Sequence, residues 1–355
     1  MKFKKLILPL TIVSLGLSFL AHAESAQKNK SSKQPPKAND QMQAILDALA
    51  ALEPKPLPTL SPIEARQQPT PTDAVEKLLH DQGQSTNPVP VAKIEHVKIP
   101  GPNGEIPLSI YTPNGSGPFP VIVYYHGGGF VIADTKVYEA SIRGLVNGAE
   151  AVVVSVDYHR APEYKFPSQP NEAYASYKWV LSNAAQFNGD PNRVAVAGES
   201  AGGNLATVVS LMARDHKETM PIHQLLIYPV VDNKMNNESY VANANAKPLD
   251  LPMMKWFFKH YASTSADANS PYALPNKAAT LQGLPPTTLI TAEIDPLFTE
   301  GKAFANRLEK DGVPVAYRHY DNVTHEFFGM AAVLNEAKDA QAFASQELKK
   351  AFIKK

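Results

Sequence analysis

Arg193-Val194-Ala195-Val196-Ala197-Gly198-Glu199-Ser200-Ala201-Gly202-Gly203 is the stretch on which the fold turns. A short strand-like run, Arg193 to Ala197, leads into G-x-S-x-G, and a helical apolar pattern follows to residue 215. The run is too short for a helix and suits a buried strand. Small residues at 198 and 202 let the chain turn sharply, which presents the Ser200 hydroxyl on a strand-to-helix elbow. The helix behind it offers unpaired N–H groups and the positive end of its dipole. Ser200 is therefore the candidate nucleophile, with Glu199 as a supporting residue of the elbow.

Serine needs a base. His325, in Asn322-Val323-Thr324-His325-Glu326-Phe327, follows the last strand-like run and fits the order Ser…acid…His. A zinc helix of the form H-E-x-x-H would need histidine at 329, where Gly329 stands. The orienting acid should follow the preceding strand, where Asp295 lies in Thr291-Ala292-Glu293-Ile294-Asp295-Pro296. Glu293 is its rival, and Asp295 is preferred because a position beyond the strand end is freer to turn toward His325. Upstream, His126-Gly127-Gly128-Gly129-Phe130 follows the apolar run 121–125. Backbone without side chains there can aim N–H groups at a developing oxyanion, and Gly128, Gly129 and Ala201 are the expected donors. His126 and Gly127 are read as a supporting loop. No Gly-Lys-Ser/Thr follows, which excludes a P-loop.

Strand-like runs at 92–99, 106–112, 121–125, 151–156, 194–197, 224–228, 287–292 and 315–320 alternate with helical patterns at 138–146, 172–187, 203–215, 300–311 and 338–353. Such alternation predicts an open α/β sheet covered by helices, a catalytic domain over 91–355. Residues 233–265 interrupt the rhythm and read as an insertion. Residues 41–90 read as short helices between Pro-rich loops. Met42, Ile45, Leu46, Leu49 and Leu52 share one helical face, and Ser61-Pro62-Ile63-Glu64 has the form of a capping box. Eleven of the 31 prolines fall within residues 35–100.

The first 23 residues have the form of a secretory signal: Lys2, Lys4 and Lys5, an apolar stretch to Leu20, and Ala21-His22-Ala23 as a cleavage site. The stretch is about 15 residues, short of the roughly 18–20 of a membrane anchor. Export to the periplasm or medium is expected, with no stable membrane anchor after cleavage. Residues 24–40 are polar and Lys-rich and read as a disordered linker. The 355-residue chain balances 34 basic against 34 acidic side chains. Loss of the signal removes three lysines and no acid, leaving a net charge of −3. Neither value gives a footprint for nucleic acid. With no cysteine, disulfides, thiolate metal sites and a thiol nucleophile are excluded.

Taken together, His126-Gly127-Gly128-Gly129, Asp157-Tyr158-His159-Arg160-Ala161-Pro162-Glu163, Gly198-Glu199-Ser200-Ala201-Gly202-Gly203, Asp295-Pro296-Leu297 with Glu300-Gly301, and His325-Glu326-Phe327 give a chain that resembles the hormone-sensitive-lipase-like α/β-hydrolase esterases (bacterial family IV) from about residue 90 onward. The resemblance implies a mixed, mostly parallel eight-stranded sheet with flanking helices. It also implies a helical cap built from 41–90 and 233–265, and hydrolysis of short to medium acyl esters through an acyl-enzyme without metal or organic cofactor. Met253, Met254, Trp256, Phe257 and Phe258, with Phe327, either line a substrate pocket or form cap core. A deacetylase of sugars or an aryl-amide hydrolase is the nearest alternative, and a non-catalytic binding relative the alternative from another class. A small-molecule ester is the expected partner, and a homodimer is left open. Three departures stand out: Tyr158-His159-Arg160 in place of Y-R-L, Phe298-Thr299 in place of a charged pair, and Glu326 where glycine is common. An acid at 326 should raise the pKa of His325 and move the pH–rate profile upward.

Overall fold

The computed structural model describes residues 1–2 and 36–353. The signal segment and most of the linker fall outside the described residues. Eight strands form one sheet in the order β1-β2-β4-β3-β5-β6-β7-β8. They are β1 (Lys93–Gly101), β2 (Gly104–Thr112), β3 (Phe119–Tyr125), β4 (Val152–Val156), β5 (Gly189–Glu199), β6 (Gln224–Ile227), β7 (Thr287–Ile294) and β8 (Val315–Thr324). Strand β2 runs antiparallel to both β1 and β4, and every other pairing is parallel. The strand-like runs at 151–156 and 224–228 become interior strands: all residues of β4 and β6 are buried, as strands covered by helices on both faces must be.

Ten α-helices accompany the sheet among the described residues: α1 (Asp40–Ala51), α2 (Pro62–Ala65), α3 (Pro71–Asp81), α4 (Glu139–Ala149), α5 (Ser168–Asn183), α6 (Ala201–Asp215), α7 (Glu238–Ala242), α8 (Leu251–Tyr261), α9 (Phe298–Lys310) and α10 (Asn335–Ile353). Helix α6 is buried from Ala201 to Ala213, so it is the central helix against the sheet. The capping box at Ser61 and Glu64 starts α2. A second box, Thr70 with Asp73 around Pro71, starts α3.

Two expectations change. The linker reading extended to residue 40, but residues 36–39 are docked. Asn39 donates its N–H to the Asn322 carbonyl at 3.0 Å and caps α1 through Met42 N–H, while Asn322 Nδ2 donates to the Lys37 carbonyl at 2.9 Å. Hydrogen bonds from one backbone N–H and two asparagine side chains compensate here for the lack of large apolar side chains. The N-terminal helices also do more than cover the site. Met42, Ile45 and Leu49 of α1 and Val75 and Leu79 of α3 share a core with Val323, Phe327 and Phe328, below the loop that carries His325. The segment from Pro54 to Pro71 instead borders the cavity described below, together with α8 of the insertion.

Candidate active site

Parallel strands in register bring their C-terminal ends to one edge, where α/β sheets receive ligands. Four segments meet there: His126 leaves β3, Ser200 leaves β5, Asp295 leaves β7 and His325 leaves β8. Ser200 sits at φ +56 and ψ −116, a conformation unfavourable to any L side chain by about 1–3 kcal/mol. The turn keeps that geometry because its neighbours admit no Cβ. One at Gly198 would lie 2.2 Å from the Gly202 carbonyl oxygen, and one at Gly202 would lie 1.8 Å from that of Tyr125. Ser200 N–H donates to the Ile227 carbonyl at 2.9 Å, and its own carbonyl accepts from Asn204 and Val230.

The Ser200 hydroxyl is 2.9 Å from His325 Nε2, and Nδ1 of the same ring donates to Asp295 Oδ2 at 2.7 Å. All three residues are buried. The other Asp295 oxygen receives the Leu297 N–H at 2.8 Å, so the carboxylate is held from both sides. Glu293 lies apart. It is still within β7 and accepts the Asn322 N–H at 2.8 Å, which steadies the register shift in β8 before His325. Burial disfavours the imidazolium, but Asp295, Glu326 and Glu199 outweigh it and hold the His325 pKa above its ordinary value.

Among the described residues, the N–H groups of Gly128, Gly129 and Ala201 are given to no other protein group. Gly128 has φ +90, and its carbonyl accepts from both Val131 and Ile132 at 3.0 Å. Because carbonyl and N–H oppose each other across a trans peptide, this pins the Gly129 N–H on the other side. Behind the loop, His126 donates from Nδ1 to the Gly127 carbonyl at 2.8 Å and stacks on Tyr158 at 4.3 Å. Burial lowers the His126 pKa, so it remains a neutral brace.

Below Ser200, Glu199 accepts from Tyr124 at 2.6 Å and from Tyr228. Burial, with Glu326 nearby, pushes its pKa up to about 7. Tyr228 in turn lies against the His325 ring, 4.5 Å between centroids. Glu300, buried and pushed up to about 8, receives the N–H groups of Val231 and Asp232 and so anchors the entry to the insertion. Ser239 and Asn243 of the insertion tie α7 to the backbone of Pro296 and Asp295.

Ser200 and His325 open into a cavity of about 350 Å³. Leu49, Leu57 and Ala65 border it from the N-terminal region and Met253, Met254, Phe257 and Phe258 from α8. Trp256 and Phe327 do not line it. Trp256 stands two positions after Met254 and one before Phe257, about 200° and about 100° around the helix from those cavity-lining residues. It is buried against Phe257 and His260. Phe327 follows Glu326, whose left-handed φ of +71 turns the chain into the core, where Phe327 meets Tyr228 and Tyr320. The cap approaches the glycine loop closely: a Cβ on Gly129 would stand 2.3 Å from the Phe257 ring. Tyr138, Tyr124 and Tyr228 carried no sequence signal of a role here. Their partners lie 188, 75 and 29 positions away.

A buried serine, histidine and aspartate in hydrogen-bonded sequence at the end of a parallel sheet, beside unpaired loop N–H groups, define a serine hydrolase. Residues 122–329 match the family model described as the alpha/beta hydrolase fold, and the chain belongs to that family, in its hormone-sensitive-lipase-like branch. It is 37% identical over 251 residues to carboxylesterase NlhH of Mycobacterium tuberculosis, covering 70% of this chain and 79% of that one. Esterase LipI of the same organism is 36% identical over 273 residues, 76% of this chain and 85% of that one. Among solved structures, the hyperthermophilic esterase of the archaeon Pyrobaculum calidifontis superposes with a TM-score of 0.80 at 36% identity, covering 89% of this chain and 98% of that one.

Proposed function

We propose that the protein is an exported serine esterase that hydrolyses carboxylic esters of short to medium acyl chains through an acyl-enzyme on Ser200. The observation that carries this is the Ser200–His325–Asp295 chain at 2.9 and 2.7 Å, at the floor of an apolar cavity. His325 takes the Ser200 proton as Oγ attacks the ester carbonyl, and the N–H groups of Gly128, Gly129 and Ala201 hold the oxyanion. The alcohol leaves with the proton from Nε2, and water then releases the acid. Asp295 keeps the proton on Nδ1 and stabilises the imidazolium. The esterase names of the relatives support the reaction class. At about 350 Å³ the cavity is near the lower end of small-molecule sites, roughly 300–1,000 Å³, which favours small acyl groups over long-chain glycerides. Export rests on the pattern of residues 1–23.

The test is an acyl-length series of nitrophenyl esters from C2 to C16 on the mature protein, with acetylated xylose and an acetanilide alongside, and fluorophosphonate labelling of wild type and Ser200→Ala. The expected result is peak activity on short to medium esters and labelling that depends on Ser200. Preference for the acetyl sugar or the anilide would move the substrate class, and an active Ser200→Ala enzyme would remove the mechanism.

A further inference from the structure

Glu326 is an acid at the reacting end of the site for which the mechanism above has no use. It follows His325 directly at φ +71, a conformation that suits glycine. That turn sends the carboxyl back toward the imidazole instead of out to solvent. Oε1 accepts the Tyr138 hydroxyl at 2.7 Å and stands 3.7 Å from His325 Nε2. This is the Nε2 side of the ring, where Ser200 lies, and not the Nδ1 side that Asp295 occupies. Among the described residues Tyr138 is the one hydrogen-bond donor to this carboxyl, and the Glu326 side chain retains 19% exposure. Glu326, Tyr138, Ser200 and His325 all border the same cavity. Tyr138 is itself wedged, since its hydroxyl oxygen would meet a Cβ on Gly127 at 2.2 Å. The acid is thus braced against the loop that carries the oxyanion donors.

We propose that Glu326, held by Tyr138, positions the water that hydrolyses the acyl-enzyme. Nε2 and Oε1 are 3.7 Å apart, so one water can lie at about 2.8 Å from both. There it gives one hydrogen to Nε2 and the other to Oε1, which leaves a lone pair directed at the acyl carbon on Ser200. Attack forms the water-oxygen to carbon bond, moves the carbonyl electron pair onto the oxyanion and passes one proton to Nε2. Collapse breaks the bond from carbon to Ser200 Oγ, and Nε2 returns the proton to Oγ. Glu326 gains and loses nothing, so it is a positioning residue. Acylation needs no such water, and the two half-reactions therefore depend on Glu326 unequally. This rests on the acyl-enzyme reading above.

Burst kinetics with nitrophenyl acetate, on the pH-independent plateau, separate the two steps. In Glu326→Ala the deacylation constant should fall about 10- to 100-fold, the cost of a misplaced reactant. The burst rate should stay near wild type. kcat and KM then fall together, kcat/KM changes little, and added methanol captures a larger share of the acyl group. Glu326→Gln, which keeps an acceptor oxygen, should recover most of the loss, and Tyr138→Phe should show a smaller loss of the same kind. Equal losses in both steps, no loss in either, or a glutamine variant as slow as alanine would overturn the proposal. Fluorophosphonate labelling of each variant separates this from failure of the acyl-enzyme reading, which would abolish labelling in the wild type as well.

Discussion

Replacing Gly128 by alanine tests the oxyanion loop most directly. A Cβ there would lie 2.3 Å from the Ile132 carbonyl oxygen, 2.8 Å from its carbon and 2.9 Å from Ala133 Cβ. The nearest two are backbone atoms and cannot rotate away, so reaching an ordinary contact of 3.4 Å requires the loop to open by about 1 Å. Opening breaks the bonds from Val131 and Ile132 to the Gly128 carbonyl, and with them the orientation of the Gly129 N–H. Loss of one such donor costs about 10²–10³ in kcat, or roughly 2.7–4 kcal/mol. The strain of φ +90 on a non-glycine residue costs about 1–3 kcal/mol of stability. At roughly 2–4 °C per kcal/mol for chains somewhat shorter than this one, that is a Tm lower by about 2–12 °C. Gly83→Ala is the control. Gly83 has φ +65 with no atom within 4 Å of a Cβ, so it shares the strain without the clash. The assay is kcat and kcat/KM on nitrophenyl acetate at 25 °C with a thermal melt of each variant. Both constants should fall by the same factor in Gly128→Ala, while Gly83→Ala stays within about twofold of wild type. A folded Gly128→Ala enzyme with kcat within threefold of wild type would refute the reasoning.

Further outcomes follow from the same geometry. Asp295→Asn keeps the shape but can no longer hold the proton on Nδ1 of His325, and kcat should fall about 10⁴-fold with Tm nearly unchanged. His325 must be neutral to act, and its pKa lies above the ordinary value, so activity is lost as pH falls through that raised pKa. The acid limb of kcat/KM should sit above about pH 6.5. In Glu326→Gln, with the Asp295 and Glu199 contributions retained, it should move to lower pH; a shift to higher pH would contradict this sign. Arg66 donates to the Val131 and Ala161 carbonyls and to both Glu163 oxygens, tying the N-terminal segment to the loop beyond the glycines. Arg66→Ala should cost about 1–3 kcal/mol in urea unfolding and raise KM, because Arg66 also borders the cavity.

Much of this protein is legible one segment at a time. The short strand-like runs specify strands, the glycines at 198 and 202 specify the elbow, and the order Ser200, Asp295, His325 specifies which strand ends carry the chemistry. These follow from neighbours a few residues apart, through side-chain period and turn sterics. Asp295 and Glu293 differ by two positions, yet the end of β7 separates their roles.

Other features depended on packing. Whether Met253, Trp256 or Phe257 meets substrate depends on how α8 is rotated, and residue type does not report that. Phe327 is apolar and adjacent to the site, but the left-handed turn at Glu326 sends it into the core. Residues 36–39 look like linker by composition, yet the Asn322 carbonyl accepts the Asn39 N–H and the Asn322 side-chain amide donates to the Lys37 carbonyl, from the end of β8, 285 positions beyond Lys37. The Tyr138–Glu326 contact joins residues 188 apart, and the Ser200–His325 contact residues 125 apart. From sequence alone come the strands, the elbow and the three reacting side chains, because local sterics and periodicity determine them. The tertiary structure alone decides the cavity wall and the environment of Nε2, because those require distant segments to pack within a few ångströms of one another.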